Sequence, residues 1–120
     1  MKTLAVIEDN ADNRLILQAM LRRHFRILAY ASGPEGLAGL HQERPDVLLL
    51  DISLPGMDGL EVLQAIRADA VLHALPVIAF TAHAMSGDRE RYLAAGFDDY
   101  LTKPIMDDQI LVDTITRWLP

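Results

Sequence analysis

Carboxylates, one hydroxyl and one amine stand at or just after the ends of short apolar runs in this sequence, and the carboxylates together could hold a divalent metal. In chain order these residues are Glu8, Asp9, Asp51, Thr81 and Lys103. If the acids converge, each raises the pKa of the others unless a cation lies between them. Their ligand atoms would all be oxygens, which suits Mg²⁺ or Mn²⁺. The sequence therefore predicts an acidic metal site, provided that the fold brings these residues together.

The elements that must position these residues follow from the apolar pattern, which alternates short continuous runs with stretches of helical period. We predict strands at 4–7, 27–30, 47–50, 76–80 and 100–101. We also predict five helices. The first carries Leu15 to Leu21, and the second opens at Ser32 with Pro34 in its first turn. The third runs from about Leu60 to Arg67, the fourth from about Ser86 to Ala95, and the fifth carries Leu111, Ile115 and Leu119. Ser32 is a favourable N-cap, and Gly96 suits the position after a helix end.

Five strands alternating with five helices predict an α/β fold with a doubly wound parallel sheet and right-handed crossovers. In such sheets, ligands bind outside the C-terminal ends of the strands, near the point where strand order reverses. Acids after a strand are also ordinary turn and helix-cap residues, so none of them alone carries the interpretation. The full set stands at four strand ends, and if the first and third strands are neighbours, its acids converge.

The composition is that of one globular domain over residues 1–120, with 51% hydrophobic and 23% charged residues. The formal charge of −6 would repel nucleic acid. The one short basic stretch, Arg22 to His24, is better explained as cations near the C-terminus of a helix. We therefore expect no nucleic-acid partner.

The chain has no cysteine, which excludes disulfides, thiolate zinc sites and thiol nucleophiles. The apolar run at 4–7 is too short for a signal-peptide core, and no other stretch approaches the length of a membrane span. We expect a cytoplasmic location without membrane insertion.

The candidate residues belong to longer motifs that follow one another in a specific order. These motifs are Val6–Asn10, Leu48–Asp51, Leu54–Gly59, Phe80–Ala82 and Gly96–Pro104. The ordered set resembles the receiver domain of two-component response regulators over nearly the whole chain. The resemblance implies a flavodoxin-like (βα)5 fold with strand order 2-1-3-4-5. It also implies that Asp51 accepts a phosphoryl group from a phosphohistidine, carried by a histidine kinase or a histidine phosphotransfer protein, with Mg²⁺ bound.

The resemblance gives each residue a role that suits phosphoryl transfer, where catalysis is mostly positioning and electrostatic stabilisation. Asp51 is expected to be the nucleophile, Lys103 to pair with it and then with a phosphate oxygen, and Thr81 to donate to another oxygen. The expected metal ligands are Asp9 directly, Glu8 through water, Asp51, and the backbone carbonyl of Ser53. Such a chain is a phosphoacceptor that assists its own phosphorylation and dephosphorylation, not an enzyme.

Signal output is expected to use Thr81 and Tyr100 as a two-state switch. Tyr100 stands three residues before Lys103, so on a strand the two side chains point to opposite faces and Tyr100 can report outward. Because nothing follows the last helix in this sequence, the output is expected to be another protein. We expect a monomer and leave open a dimer that forms on phosphorylation.

The phosphoryl donor is expected to dock beside the acidic site, on the first helix through Ile16 and on the following loop through Ile105. The first helix has more apolar residues than one core-facing stripe requires, although Ile16 could instead widen that stripe. By resemblance, the peptide between Lys103 and Pro104 is expected to be cis. Glu8 departs from the family, which often has Asp there.

Other functions fit the sequence less well. The serines lack the Gly-x-Ser-x-Gly motif of hydrolases, and no glycine-rich phosphate loop follows the first strand. Three acids would repel the phosphate of FMN. The remaining alternative is a degenerate receiver that acts only as a protein-interaction module without phosphorylation. A stand-alone regulator and a receiver excised from a hybrid histidine kinase also stay open.

Overall fold

A computed structural model describes residues 1–82, 87–103 and 107–120 of the chain. The strands are β1 (Thr3–Ile7), β2 (Arg26–Tyr30), β3 (Val47–Asp51), β4 (Val77–Thr81) and β5 (Asp99–Thr102). The helices are α1 (Ala11–Leu21), α2 (Gly33–Gln42), α3 (Gly59–Arg67), α4 (Asp88–Ala95) and α5 (Asp108–Arg117). The predicted alternation of strands and helices is confirmed.

The five strands form one sheet in the order β2-β1-β3-β4-β5, and every pairing is parallel. This confirms the predicted doubly wound sheet and its strand order. The order reverses at β1, whose Ile7 lies opposite Leu50 of β3. The carboxyl ends of β1 and β3 therefore lie side by side, at the position where sheets of this kind bind ligands.

Apolar layers cover both faces of the sheet. On one face, α1 and α5 pack around a cluster that includes Leu21 and Ile115; on the other, α2, α3 and α4 pack around Leu40 and Leu63. Residues 47–50 of β3 are fully buried, as their continuous apolar run predicts for a strand covered on both faces. Within the described ranges, no helix has both the length and the apolar character needed to cross a membrane.

The predicted helix ends are confirmed at two positions. The Ser32 hydroxyl accepts a hydrogen bond from the Glu35 backbone N–H at 3.2 Å and so caps α2. Gly96 ends α4 with a φ of 117°, a left-handed conformation that glycine adopts without a steric penalty.

The last helix is shorter than its apolar spacing predicts, because it ends at Arg117 rather than reaching Leu119. Pro120 disfavours helical backbone at the residue before it, which accounts for the early end. Leu119 still packs against the core on the α1 and α5 face. The predicted start of the fourth helix at Ser86 lies outside the described residues.

Candidate functional site

The carboxyl edge of the sheet brings the predicted site residues together. Glu8 and Asp9 follow β1, and Asp51 ends the neighbouring strand β3. Thr81 ends β4, and its carbonyl accepts a hydrogen bond from the backbone N–H of Lys103 at 2.8 Å. Because the strands are parallel, their last residues all lie at one edge, and the side chains converge there.

Three acids form the centre of this edge. One carboxylate oxygen from each of Glu8, Asp9 and Asp51 lies within 4.8 Å of the other two. Glu8 and Asp51 are buried, whereas Asp9 is exposed. The start of α3 lies close against the Asp51 backbone, because a Cβ added to Gly59 would be 2.6 Å from the Asp51 carbonyl oxygen. The acidic cluster expected from neighbouring first and third strands is therefore present.

Lys103 links two of these carboxylates. Its Nζ donates to Glu8 Oε1 at 2.6 Å and to Asp51 Oδ2 at 3.0 Å. The same nitrogen lies 5.0 Å from the centre of the Phe80 ring. One ammonium group against three carboxylates leaves the cluster net negative when all are ionised, which favours a further bound cation.

The protonation of the cluster is uneven. Burial raises the pKa of Glu8 to about 7, and the neighbouring Asp51 carboxylate acts in the same direction. Burial also acts to raise the pKa of Asp51, but hydrogen bonds with Glu8, Lys103 and the Ser53 N–H outweigh it and lower that pKa. Burial acts to lower the pKa of Lys103, and its bonds to the two carboxylates reverse the direction. At neutral pH, Asp51 is therefore ionised.

The oxygen atoms at this site fit a hard divalent cation. Glu8 Oε2 is buried and has no hydrogen-bond partner among the described residues, which is costly for a carboxylate oxygen unless another group binds it. Ser53 lies beside the cluster, since its N–H donates to Asp51 Oδ1 at 3.0 Å. The residues present thus suit Mg²⁺ or Mn²⁺. Ligation by the Ser53 carbonyl stays a prediction.

Thr81 and Tyr100, the predicted switch pair, lie on neighbouring strands. Thr81 is buried at the end of β4. The Tyr100 ring stacks on Tyr92 of α4 with 5.6 Å between ring centres, and its hydroxyl is buried without a partner among the residues described. Tyr100 therefore packs on the α4 side, whereas Lys103 reaches the acids and lines a pocket beside α1. The two side chains thus lie on opposite faces of the sheet, as their spacing predicts, and the outward role of the half-buried Tyr100 stays a prediction.

The pocket beside α1 has a volume of about 500 Å³ and opens next to the acidic cluster. Its lining includes Ile16, Leu17 and Met20 of α1, together with Phe80, Ala82 and Lys103. Ile16 is 57% exposed and Leu15 is 64% exposed, so neither contributes a fully covered core contact. Ile105 and the peptide between Lys103 and Pro104 lie outside the described residues.

Arg14 is a residue at this site that our sequence analysis did not single out. Its guanidinium donates to the backbone carbonyls of Glu8 and Asp9. The sequence signal for Arg14 is its position, one helical turn after the acidic loop. That position does not predict that the long side chain contacts the loop.

Comparison with known proteins places this arrangement among signalling domains. The profile of the response regulator receiver domain matches residues 4–115. The chain is 37% identical over 116 residues to the sensor protein GacS of Pseudomonas syringae pv. syringae, covering 93% of this chain and 13% of GacS. It is 35% identical over 119 residues to the polar-differentiation response regulator DivK of Brucella anthropi, covering 98% of this chain and 96% of DivK. The chain thus spans a small part of one relative and nearly all of the other.

A solved structure shows a similar fold with a metal in place. The receiver domain of the sensor histidine kinase PA1611 from Pseudomonas aeruginosa is 36% identical, with a TM-score of 0.87. The match covers 98% of this chain and 96% of that domain. A magnesium ion is coordinated in the active site cleft of that protein.

Proposed function

The chain belongs to the response regulator receiver domain family of two-component signalling, and we propose that residues 1–120 form one receiver that takes a phosphoryl group onto Asp51 from a phosphohistidine. The observation that carries this proposal is the convergence of Asp51 with Glu8, Asp9 and Lys103 at the carboxyl edge of the sheet. The donor is a histidine kinase or a histidine phosphotransfer protein, and the output is a downstream protein.

The transfer step follows from the placement of these side chains. A carboxylate oxygen of Asp51 forms a bond to phosphorus while the bond between phosphorus and the imidazole nitrogen breaks, and the nitrogen keeps the electron pair. Lys103, already 3.0 Å from Asp51 Oδ2, then pairs with a phosphoryl oxygen. The Thr81 hydroxyl donates to another oxygen, which stabilises the charge spread over the transferring group.

Mg²⁺ is the cofactor we propose, with Mn²⁺ as a substitute. When bound, it supplies positive charge to the phosphoryl oxygens and the carboxylates. Asp9 would bind it directly, Glu8 through water, and Asp51 and the Ser53 carbonyl would complete the protein ligands. No observation favours the degenerate alternative, because the acids and the lysine of the site are present together. The test is phosphorylation of the purified chain with and without Mg²⁺; a degenerate receiver would neither bind the metal nor take up phosphate.

We also propose that the donor docks over the pocket beside α1. Charge substitution at Ile16, which lines that pocket and is 57% exposed, should slow phosphotransfer from a protein donor by about tenfold, a loss typical of an interface anchor. Ile16→Asp should leave labelling by acetyl phosphate unchanged, because the small donor needs no docking surface. Initial rates of transfer from the phosphorylated donor measure the effect.

Leu15→Asp provides the matched control for this prediction, since Leu15 is similarly exposed on the same helix but is not among the residues that line the pocket. Ile105→Asp should act like Ile16→Asp. If Ile16→Asp slows both donors equally, the defect lies in folding or chemistry and the docking proposal is wrong.

Phosphorylation is proposed to shift a two-state equilibrium through Thr81 and Tyr100. When Thr81 turns toward a phosphoryl oxygen, its movement changes the space available to the Tyr100 ring. The buried Tyr100 hydroxyl has no hydrogen-bond partner among the described residues, so a state that supplies a partner is stabilised. Beryllofluoride with Mg²⁺, as a phosphoryl mimic, should therefore shift NMR signals at Tyr100 and along α4 as well as around Asp51.

Thr81→Ala should reduce the remote shifts at Tyr100 and α4 to less than half while the shifts around Asp51 persist. Thr102→Ala, in register with Thr81 on β5, should leave both sets of shifts in place. Remote shifts of full size in Thr81→Ala would show that Thr81 is not the coupling residue.

A further inference from the structure

Arg14 folds back from the first turns of α1 onto the loop that carries two of the acids. One guanidinium nitrogen, Nη1, donates to the Glu8 carbonyl oxygen at 2.8 Å and to the Asp9 carbonyl oxygen at 3.0 Å. The contact is made to main-chain atoms, so it fixes the two peptide units rather than the carboxylates themselves. A charged donor makes such hydrogen bonds stronger than a neutral one does.

The loop is held from its other side by the sheet. The Glu8 backbone N–H donates to the Tyr30 carbonyl of β2 at 3.0 Å. Asn10 then begins α1 as its N-cap by accepting the N–H of Asn13 at 2.9 Å. Between these two anchors, the carbonyls of Glu8 and Asp9 turn toward Arg14. The direction in which the exposed Asp9 side chain leaves the loop therefore depends on the hydrogen bonds of Arg14.

We propose that Arg14 is a positioning residue for the metal site, acting through the backbone of Glu8 and Asp9. The inference rests on the proposed function, since it assumes that these acids bind Mg²⁺. Removing such a supporting hydrogen-bond donor weakens metal binding by about 10- to 100-fold in other metal sites.

A simple charge effect would have the opposite sign. Arg14 is a cation close to a cation site, so if only its charge mattered, its removal would tighten Mg²⁺ binding. If it positions the loop, its removal weakens binding. The direction of the change in the Mg²⁺ dissociation constant therefore distinguishes the two roles.

The experiment measures the Mg²⁺ dissociation constant by NMR titration of the full chain without any phosphodonor. Arg14→Met should raise it about tenfold. Arg14→Lys, which keeps the charge but lacks the guanidinium geometry, should raise it at least threefold. Arg23→Met removes an exposed cation beyond the other end of α1 and should change it by less than twofold. In Arg14→Met, saturating Mg²⁺ should restore the rate of labelling by acetyl phosphate.

An unchanged or tighter Mg²⁺ dissociation constant in Arg14→Met overturns the inference, and so does a labelling rate that stays low at saturating Mg²⁺. If thermal unfolding shows that Arg14→Met is not folded, Arg14→Lys decides, and a change below twofold there overturns it. Absence of Mg²⁺ binding by the parent chain would instead refute the proposed function itself, together with every claim that depends on it.

Discussion

Acetyl phosphate with Mg²⁺ should add one phosphoryl group to the chain, and Asp51→Asn should abolish that addition completely. The reason is that the hydrogen bonds of Asp51 lower its pKa in spite of the opposing effect of burial, so that the carboxylate is ionised. In addition, Asp51 Oδ2 lies 3.0 Å from the Lys103 amine. Asparagine keeps the size of the side chain but has no carboxylate to attack phosphorus. Intact mass spectrometry measures the addition directly.

Asp113→Asn is the matched control, since it makes the same chemical change at an exposed position on α5. It should be labelled as fully as the parent chain. Chelation of Mg²⁺ should reduce labelling of the parent to the background seen in Asp51→Asn. Equal labelling without metal, or labelling of Asp51→Asn at the parental level, contradicts the assignment of Asp51 as the phosphoacceptor.

The metal-free chain should lose on the order of 3 kcal/mol of unfolding free energy as the pH rises from about 4.5 to about 7, because of Glu8. Burial raises the pKa of this carboxyl from 4.5 to about 7 in the folded state. Across that window, the unfolded chain ionises Glu8 freely while the folded chain keeps the proton. The folded state thus binds more protons, and its stability falls as the pH increases. Above pH 7 the penalty is constant.

The other described groups with shifted pKa values change the stability little between pH 4.5 and 6.5. Hydrogen bonds lower the pKa of Asp51 against the opposing effect of burial, and the hydrogen bond with His41 lowers the pKa of Asp69, so both groups affect stability only below about pH 3.8. The hydrogen bond to Asp69 raises the pKa of His41 in the folded chain. The stability that this raised pKa adds is therefore fully present below pH 6.5 and is lost as the pH rises through the pKa of the folded state. Among the residues that the structure describes, Glu8 is therefore the group with a shifted pKa that titrates between pH 4.5 and 6.5.

Glu8→Gln should remove this pH dependence, because glutamine keeps the shape and hydrogen-bonding capacity without ionising. Chemical denaturation in the presence of a chelator at pH 4.5, 5.5, 6.5 and 8 measures it. The variant should match the parent near pH 4.5 and exceed it in stability at pH 8. A parallel decline of both chains across the window would contradict the role given to Glu8. Mg²⁺ should stabilise the parent above pH 7, since the acidic cluster proposed to bind it forms only in the folded chain.

The acidic cluster therefore lowers the stability of the metal-free chain while favouring the proposed binding of a cation. Glu8, a buried glutamate with one oxygen that no described residue contacts, lies beside the buried Asp51, and this pair destabilises the folded chain on its own. A divalent cation would offset the repulsion between the two carboxylates, and a water bound to it would donate to the Glu8 oxygen that no described residue contacts, so the same pair favours metal binding. Mutations that stabilise this edge are expected to weaken the proposed function.

The sequence alone determined the elements of this protein and the edge of the sheet at which the site lies. Continuous apolar runs such as 47–50 indicate strands buried on both faces, and these occur in parallel sheets covered by helices. Caps such as Ser32 and Gly96 act within a few residues, so their effect can be read locally. Since parallel strands end at one edge, the polar residues that follow them could be predicted to meet.

Only the tertiary structure decided how the side chains at this edge are paired. Lys103 bonds both Glu8 and Asp51, which lie 95 and 52 residues away along the chain. Arg14 turns back to the loop before its helix, and Tyr100 stacks on Tyr92 of α4. These choices depend on how the strands and helices pack together, because a long side chain can adopt several rotamers of similar energy until its neighbours exclude all but one. Local sequence patterns encode burial and capping, whereas the charge pairing of a site is set by residues brought together from distant parts of the chain.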